Sequence, residues 1–261
     1  MKTATKKALI ILSAFFLLAF IAPRKNIRIL MCGDSTMTIQ PLSKSVYDSI
    51  MAIWIDEPFP VRGWGQMLPA FFNSNVIIQN YAKSGKSSKS FINDGLWSKM
   101  LSNLWEDDYV VIEFGINDIS TNPDRHSTPQ EFETNIKKFL VDVKKKGAIP
   151  ILCTPMSSRK FVNGSLANDY KVYSDIVRKI AVEESVLFID MEKKGREIIL
   201  KYGEKESEKL FVNLKPGVNR NFPKGVNDVT HFNELGATLM AKEFIKGLHE
   251  LKINDLTQNL K

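Results

Sequence analysis

The stretch "RILMCGDSTM" at residues 28–37 carries the first decision about this chain. An apolar run closes on Gly33-Asp34-Ser35. A nearly continuous apolar run reads as a strand covered on both faces, as in a parallel sheet. Read alone, the Gly-Asp-Ser turn sets one hydroxyl at the end of that strand. The same pattern recurs as "NVIIQNYA" (75–82), "YVVIEFG" (109–115), "AIPILCTP" (148–155) and "VLFID" (186–190).

The intervening segments read as helices. "TPQEFETNIKKFLVDVKKKG" (128–147) has a Thr128 cap, Pro129 at the first helical position, early acids, late lysines and a closing Gly147. Phe132, Ile136, Phe139, Leu140 and Val143 form its apolar stripe. "NDYKVYSDIVRKIAVEES" (168–185) and "NELGATLMAKEFIKGLHELK" (233–252) are also amphipathic. Alternating strands and helices predict one α/β domain over residues 23–261, built around a mostly parallel sheet. Residues 39–62 read as an irregular insertion. The Gly- and Pro-bearing stretch 201–227 reads as a long loop of the kind that often serves function.

The N-terminus differs from the rest. Lys2, Lys6 and Lys7 precede "ALIILSAFFLLAFIA", which spans residues 8–22 without a charge. A basic lead and a short apolar run predict a secretory signal over 1–22. Ala22 is small, but Phe20 and Pro23 make a poor cleavage site, so a retained N-terminal anchor stays open. Either outcome implies export, periplasmic or extracellular, with membrane contact only through this leader. The formal net charge is +7, and without the leader 33 basic residues face 29 acidic ones. That balance is mildly basic, and no basic arm or RNA-binding aromatic motif accompanies it, so nucleic acid is not expected as a partner. Cys32 and Cys153 close apolar runs and read as packed thiols. A disulfide across adjacent parallel strands has poor geometry.

Three strand ends carry polar groups: Gly33-Asp34-Ser35, then "NYAKSGKSS" with Ser84 and Gly85, then "FGIND" with Gly115, Asn117 and Asp118. In a parallel sheet these ends fall on one rim. A serine nucleophile needs a base, usually histidine, and the chain has three. His249 lies inside the C-terminal helical pattern. His126 lies in the polar loop "NPDRHST". His231 follows Asp228 by three residues in "NDVTHFNELGA", a spacing that lets a carboxylate accept from one ring nitrogen and leaves the other for a serine. The competing reading makes Asp228 or Thr230 a cap for the last helix.

Ser, Gly, Asn and a final Asp-x-x-His, in that order, resemble the SGNH, or GDSL, hydrolases over nearly all of residues 27–250. "GDSTM", "GWGQML", "GKSSKSF", "FGIND" and "DVTHFNELGA" look like the rhamnogalacturonan acetylesterase branch. That branch usually has His at the position of Ile116 and Arg at that of Lys86. The resemblance implies a three-layer, flavodoxin-like sandwich with a central five-stranded sheet. It also implies a serine esterase that removes acetyl groups from pectic rhamnogalacturonan. By position, Ser35 is then the nucleophile, His231 the base and Asp228 its orienting acid. Ser35, Gly85 and Asn117 form the oxyanion hole, and Asp34 and Asp118 hold the turns. The expected partner is an acetylated polysaccharide or oligosaccharide.

Other chemistries fit less well. A Gly-x-Ser-x-Gly elbow, a His-Glu-x-x-His pair and the nucleotide-binding glycine motifs are all missing from the sequence. No cofactor or metal is expected. A lipase or thioesterase on the same scaffold, or a non-catalytic glycan-binding module, remain as alternatives. Trp54, Phe59, Trp64 and Phe91 are aromatic candidates for lining a site. Lys86, with Lys83 and Lys89, is a candidate for uronate contact, and Trp64 for substrate contact.

Overall fold

The computed structural model describes residues 26–261. The leader expected at 1–22 lies outside the described residues. In chain order the strands are β1 (Ile27–Cys32), β2 (Ser43–Asp48), β3 (Ile53–Pro58), β4 (Val76–Asn80), β5 (Tyr109–Glu113), β6 (Ile149–Cys153), β7 (Phe161–Val162), β8 (Ser165–Leu166), β9 (Leu187–Ile189), β10 (Phe211–Leu214) and β11 (Val226–Phe232). The five apolar runs of the sequence become β1, β4, β5, β6 and β9. They pair in the order β4-β1-β5-β6-β9, and every pairing is parallel. This is the flavodoxin-like strand order.

Both faces of the sheet are covered, which is why its strands are apolar at most positions. Ile29, Met31, Val111, Ile151 and Cys153 point into one layer, and Leu30, Cys32, Val110, Ile112 and Leu152 into the other. The first layer is closed by the helices Met191–Glu206 and Glu234–Glu250, the second by Leu96–Ser102, Pro129–Lys145 and Lys171–Glu183. The helix Pro129–Lys145 begins with a capping box between Thr128 and Glu131 and buries all five residues of its predicted stripe. Cys32 and Cys153 are buried and unpaired. They are not on adjacent strands, because β5 runs between β1 and β6, and they face opposite layers.

Two segments differ from expectation. Residues 39–62 hold an antiparallel hairpin, β2 with β3. Its strands are mostly exposed, so they lack the apolar run that marks the buried ones. The stretch 201–227 is not all loop: it contains the end of the helix Met191–Glu206 and then β10. β10 pairs with β11, so Asp228 and His231 sit on a strand. The helix Glu234–Glu250 is capped by Asn233, whose side chain accepts from the Gly236 N–H at 3.1 Å. Asp228 and Thr230 are therefore not its cap.

After β1 the chain's next sheet strand, β4, lies on one side of β1, and β5 lies on the other. Such a reversal opens a crevice at the carboxyl edge of the first strand. Gly33 keeps this edge tight. A Cβ there would lie 2.8 Å from the Glu113 carbonyl oxygen and 3.0 Å from Met37 Sδ. Gly33→Ala is expected to destabilise the fold by about 1–3 kcal/mol through overpacking against backbone. A shift in the denaturant midpoint measures it, and an unchanged midpoint would contradict the packing argument.

Candidate active site

Ser35 sits in the turn that leaves β1. Backbone hydrogen bonds from Met37 and Thr38 to the Asp34 carbonyl close the turn. Asp34 also accepts the Thr36 N–H on Oδ1 at 2.9 Å. The turn is tied to the exit of β4. Thr38 Oγ1 donates to the Ala82 carbonyl at 2.6 Å, Asn80 Nδ2 to the Met37 carbonyl at 2.8 Å, and the Lys83 N–H to the Gly33 carbonyl at 3.0 Å.

His231 Nε2 lies 2.9 Å from Ser35 Oγ, and its Nδ1 lies 2.7 Å from Asp228 Oδ2. An ionised carboxylate only accepts. Nδ1 therefore carries hydrogen toward Asp228, and in the neutral ring Nε2 is the acceptor for the serine hydroxyl. The second Asp228 oxygen accepts the backbone N–H groups of Thr230 at 2.7 Å and His231 at 2.8 Å. Burial acts to raise the Asp228 carboxyl, but the hydrogen bonds from His231 and Thr230 outweigh it and hold it low. The Asp228 hydrogen bond raises the His231 imidazole above its ordinary value. Partial burial opposes this, and the charges of Asp228 and Asp34 add to it.

The other two strand ends arrive beside Ser35. Gly85 is the third residue of a Lys83–Lys86 turn and has φ +75°, a conformation that favours glycine. Asn117, following β5, spends one amide hydrogen on the Lys86 carbonyl at 3.1 Å and retains the other. No described residue accepts a hydrogen bond from the N–H of Ser35 or Gly85. Ser35, Gly85, Asn117, Asp228 and His231 all line one cleft of about 420 Å³. Asp118 fixes the neighbouring loops. Its carboxylate accepts the Ser88 N–H and hydroxyl, and its carbonyl accepts the Ser127 N–H.

The candidate substrate-contact residues lie elsewhere. Trp64 is fully buried, packs on Phe244 and donates its indole N–H to Glu113 Oε2 at 3.0 Å. It belongs to the core and cannot touch a substrate in the cleft. Lys86 is ion-paired with Asp94 and lines a neighbouring cavity rather than the cleft. Of the aromatic candidates, Phe59 lines the cleft, Phe91 is buried and Trp54 is exposed on the β2–β3 hairpin. His126 and His249 are exposed and are not among the cleft-lining residues.

Glu113 was not anticipated, although an acid inside "YVVIEFG" is a visible signal. Thr36 Oγ1 lies 2.8 Å from Asp34 Oδ1 and 2.9 Å from Glu113 Oε1, and both carboxyls are fully buried. One hydroxyl hydrogen cannot serve two carboxylates, so one carboxyl holds a proton. Burial raises Asp34 to about 6, while its hydrogen bonds from Thr36 and the His231 charge pull it back toward the ionised form. Burial first, and then the Asp34 charge, raise Glu113 well above the ordinary glutamate range, by more than its contacts with Thr36 and Trp64 offset. The proton therefore rests on Glu113, which donates to Thr36, which donates to Asp34.

Comparison with known proteins is consistent with this geometry. A model of the GDSL-like lipase/acylhydrolase family matches residues 29–244. The rhamnogalacturonan acetylesterase RhgT of Bacillus subtilis (strain 168) is 33% identical over 232 residues, 87% of this chain and 92% of that one. The probable rhamnogalacturonan acetylesterase YesY of the same organism is 32% identical over 200 residues, 76% of this chain and 88% of that one. The crystal structure of Bacillus subtilis YxiM superposes with a TM-score of 0.70 at 27% identity, covering 88% of this chain and 58% of that longer protein.

The protonated Glu113 makes a prediction with a definite sign. Glu113→Gln offers an amide donor to Thr36 and an acceptor to Trp64, and is expected to fold and stay active. A neutral folded carboxyl favours folding fully only below the ordinary glutamate range and loses that contribution as pH rises toward its raised folded value. The stability of Glu113→Gln relative to wild type should therefore increase with pH across that interval, as melting curves would show. Thr36→Val, which strands buried polar groups, should cost about 1–3 kcal/mol. Loss of activity in Glu113→Gln as severe as in Thr36→Val would mean that Glu113 works as a charge.

Proposed function

Because the chain belongs to the GDSL-like lipase/acylhydrolase family, and is in that sense a carboxylic ester hydrolase, we propose that it removes O-acetyl groups from an acetylated polysaccharide, most specifically pectic rhamnogalacturonan. The observation that carries the chemical part is the unbroken chain Asp228–His231–Ser35, with contacts of 2.7 and 2.9 Å, opening on the cleft. The substrate part draws on RhgT and YesY, whose names assign them that substrate.

In this reading Ser35 Oγ attacks the acetyl carbonyl carbon as His231 Nε2 takes its proton. The carbonyl π electrons move onto oxygen. That oxyanion meets the N–H of Ser35, the N–H of Gly85 and the free amide hydrogen of Asn117. Donors prepared in this way are worth most where charge develops. The intermediate collapses, the carbon–oxygen bond to the sugar breaks, and His231 returns its proton to the sugar oxygen. Water then enters, His231 takes a proton from it, and the resulting hydroxide attacks the acetyl-serine. Collapse of this second intermediate releases acetate and restores the Ser35 hydroxyl. Asp228 keeps its charge throughout and stabilises the imidazolium.

Acetate release from acetylated rhamnogalacturonan, acetylated xylan and a small aryl acetate tests the reading. Wild type should prefer the first, and acetyl should outpace octanoyl esters. Ser35→Ala should lose about 10³-fold or more of kcat, and Asn117→Ala about 10²-fold or more. Full activity in Ser35→Ala would remove the nucleophile assignment. Equal rates on all three acetyl substrates would remove the pectic one.

The raised His231 sets the pH response. The base must be neutral to act, so the acid limb of kcat/KM should lie above the range of a free imidazole. Asp228→Asn removes the bond that raises it. The residual activity of that variant should therefore show an acid limb displaced to lower pH. An unmoved limb would assign the limb to another group.

A further inference from the structure

Arg125 touches two cavities. It lines the catalytic cleft and also a second cavity of about 390 Å³, whose walls include Lys86, Lys89, Asn93, Asp94 and Asn122. Its guanidinium lies over Gly85, with one Nη 3.2 Å from where a Cβ on that glycine would stand. It is thus placed beside the point where the proposed oxyanion donor meets the neighbouring space.

The charges around this second cavity are unequally committed. Lys86 is paired with Asp94. Lys89 donates to the Pro123 carbonyl at 3.0 Å. No described residue forms a hydrogen bond or ion pair with the Arg125 guanidinium, while the Arg125 backbone N–H donates to the Asn122 carbonyl. Asp124 also lines the cavity, leaving three cationic side chains against two carboxylates. A planar guanidinium matches a carboxylate with two parallel hydrogen bonds and remains charged at any working pH.

We propose that this second cavity is a subsite for an acidic sugar residue of the substrate chain, with Arg125 binding its carboxylate. The inference rests on the acetylated-polysaccharide reading of the cleft. The shared position of Arg125 implies that the acidic residue is a near neighbour of the one carrying the acetyl group. Amide side chains of Asn93 and Asn122 suit sugar hydroxyls. The same polar walls would have to be desolvated by a fatty acyl chain, so they do not suit one. Arg125 is a specificity-determining residue in this account, with no part in bond making.

The test uses inhibition rather than turnover of a pectic substrate, so it can be read even if the chain proves inactive on acetylated rhamnogalacturonan. Hydrolysis of an aryl acetate by the full chain is measured with an unacetylated tetragalacturonate and, separately, with xylotetraose. Wild type should be inhibited about tenfold more strongly by the acidic oligomer, and added salt should weaken that preference. Arg125→Gln should raise the acidic inhibition constant about tenfold and leave the neutral one in place. Arg125→Lys, which keeps the charge without the fork, should fall between. Equal inhibition by both oligomers in wild type overturns the proposal. So does an acidic inhibition constant that Arg125→Gln leaves unchanged, or a parallel rise in both constants, which would reduce Arg125 to a support for the Gly85 turn. Lack of acetate release from rhamnogalacturonan would instead count against the proposed function.

Discussion

A single proton shared beneath Ser35 constrains the site more than any other interaction. Glu113, Thr36 and Asp34 are buried together, and the lone hydroxyl hydrogen of Thr36 forces one carboxyl to be neutral. Two buried negative charges at this range would repel strongly and lack solvent to separate them. With the proton on Glu113, the chain of donors runs in one direction. Trp64 donates to Glu113, Glu113 to Thr36, and Thr36 to Asp34. This chain joins β5 and the residue that opens the helix Trp64–Met67 to the turn after β1. It fixes the backbone on both sides of Ser35 to the same strand that delivers Asn117.

Four carboxyls near the site therefore hold different roles because their surroundings differ. Asp228 has one ring and two backbone N–H groups directed at it, and stays ionised despite partial burial. Asp118 is raised by burial, against its Ser88 contacts, and locks the second and third loops together. Asp34 keeps one oxygen, Oδ2, without a described hydrogen-bond partner. Its charge is nevertheless felt at His231, where it helps to favour the imidazolium. Glu113 alone is better understood as a neutral donor. Side chains of one chemical type thus divide into orienter, clamp, field source and proton holder.

The parts of the fold visible in the sequence are those dictated by burial. A strand covered on both faces is apolar at nearly every position, and β1, β5 and β6 are legible for that reason, with Arg28 and Glu113 as the charged exceptions. The helix Pro129–Lys145 is legible because its cap and stripe are local signals. The β2–β3 hairpin is not, since cross-strand pairing such as Tyr47 with Trp54 leaves no mark on a window of exposed sequence. Trp64 misled for a related reason. An aromatic between two glycines suits an exposed loop equally well, and its burial depends on Glu113 and Phe244, distant in the chain. The Asp228–His231 pair was visible as a spacing, but its strand setting depends on β10.

Chemistry and recognition occupy different kinds of structure here. In the cleft, Ser35, Gly85 and Asn117 follow the ends of β1, β4 and β5, whose backbone is pinned by the sheet. The rest of the cleft wall comes from the less regular segments: Lys44 from β2, Phe59 and Val61 after β3, and Phe222 from the loop between β10 and β11. These segments are tied to each other. Arg220 bonds Glu57 at 3.1 Å and approaches Asp48 at 3.4 Å, while Asn219 donates to the Pro58 carbonyl at 2.8 Å. Phe59 and Phe222 stack with ring centres 6.0 Å apart. The hairpin and the loop therefore form one wall, although about 160 residues separate them, as the 161-residue span between Asn219 and Pro58 shows. Ile116 fits the same division. It packs against the main core, so this position adds bulk behind the rim of strand ends and no ionisable group. A change in the irregular wall can alter which acyl ester is admitted while the Ser35–His231 contact, held by β1 and β11, keeps its geometry.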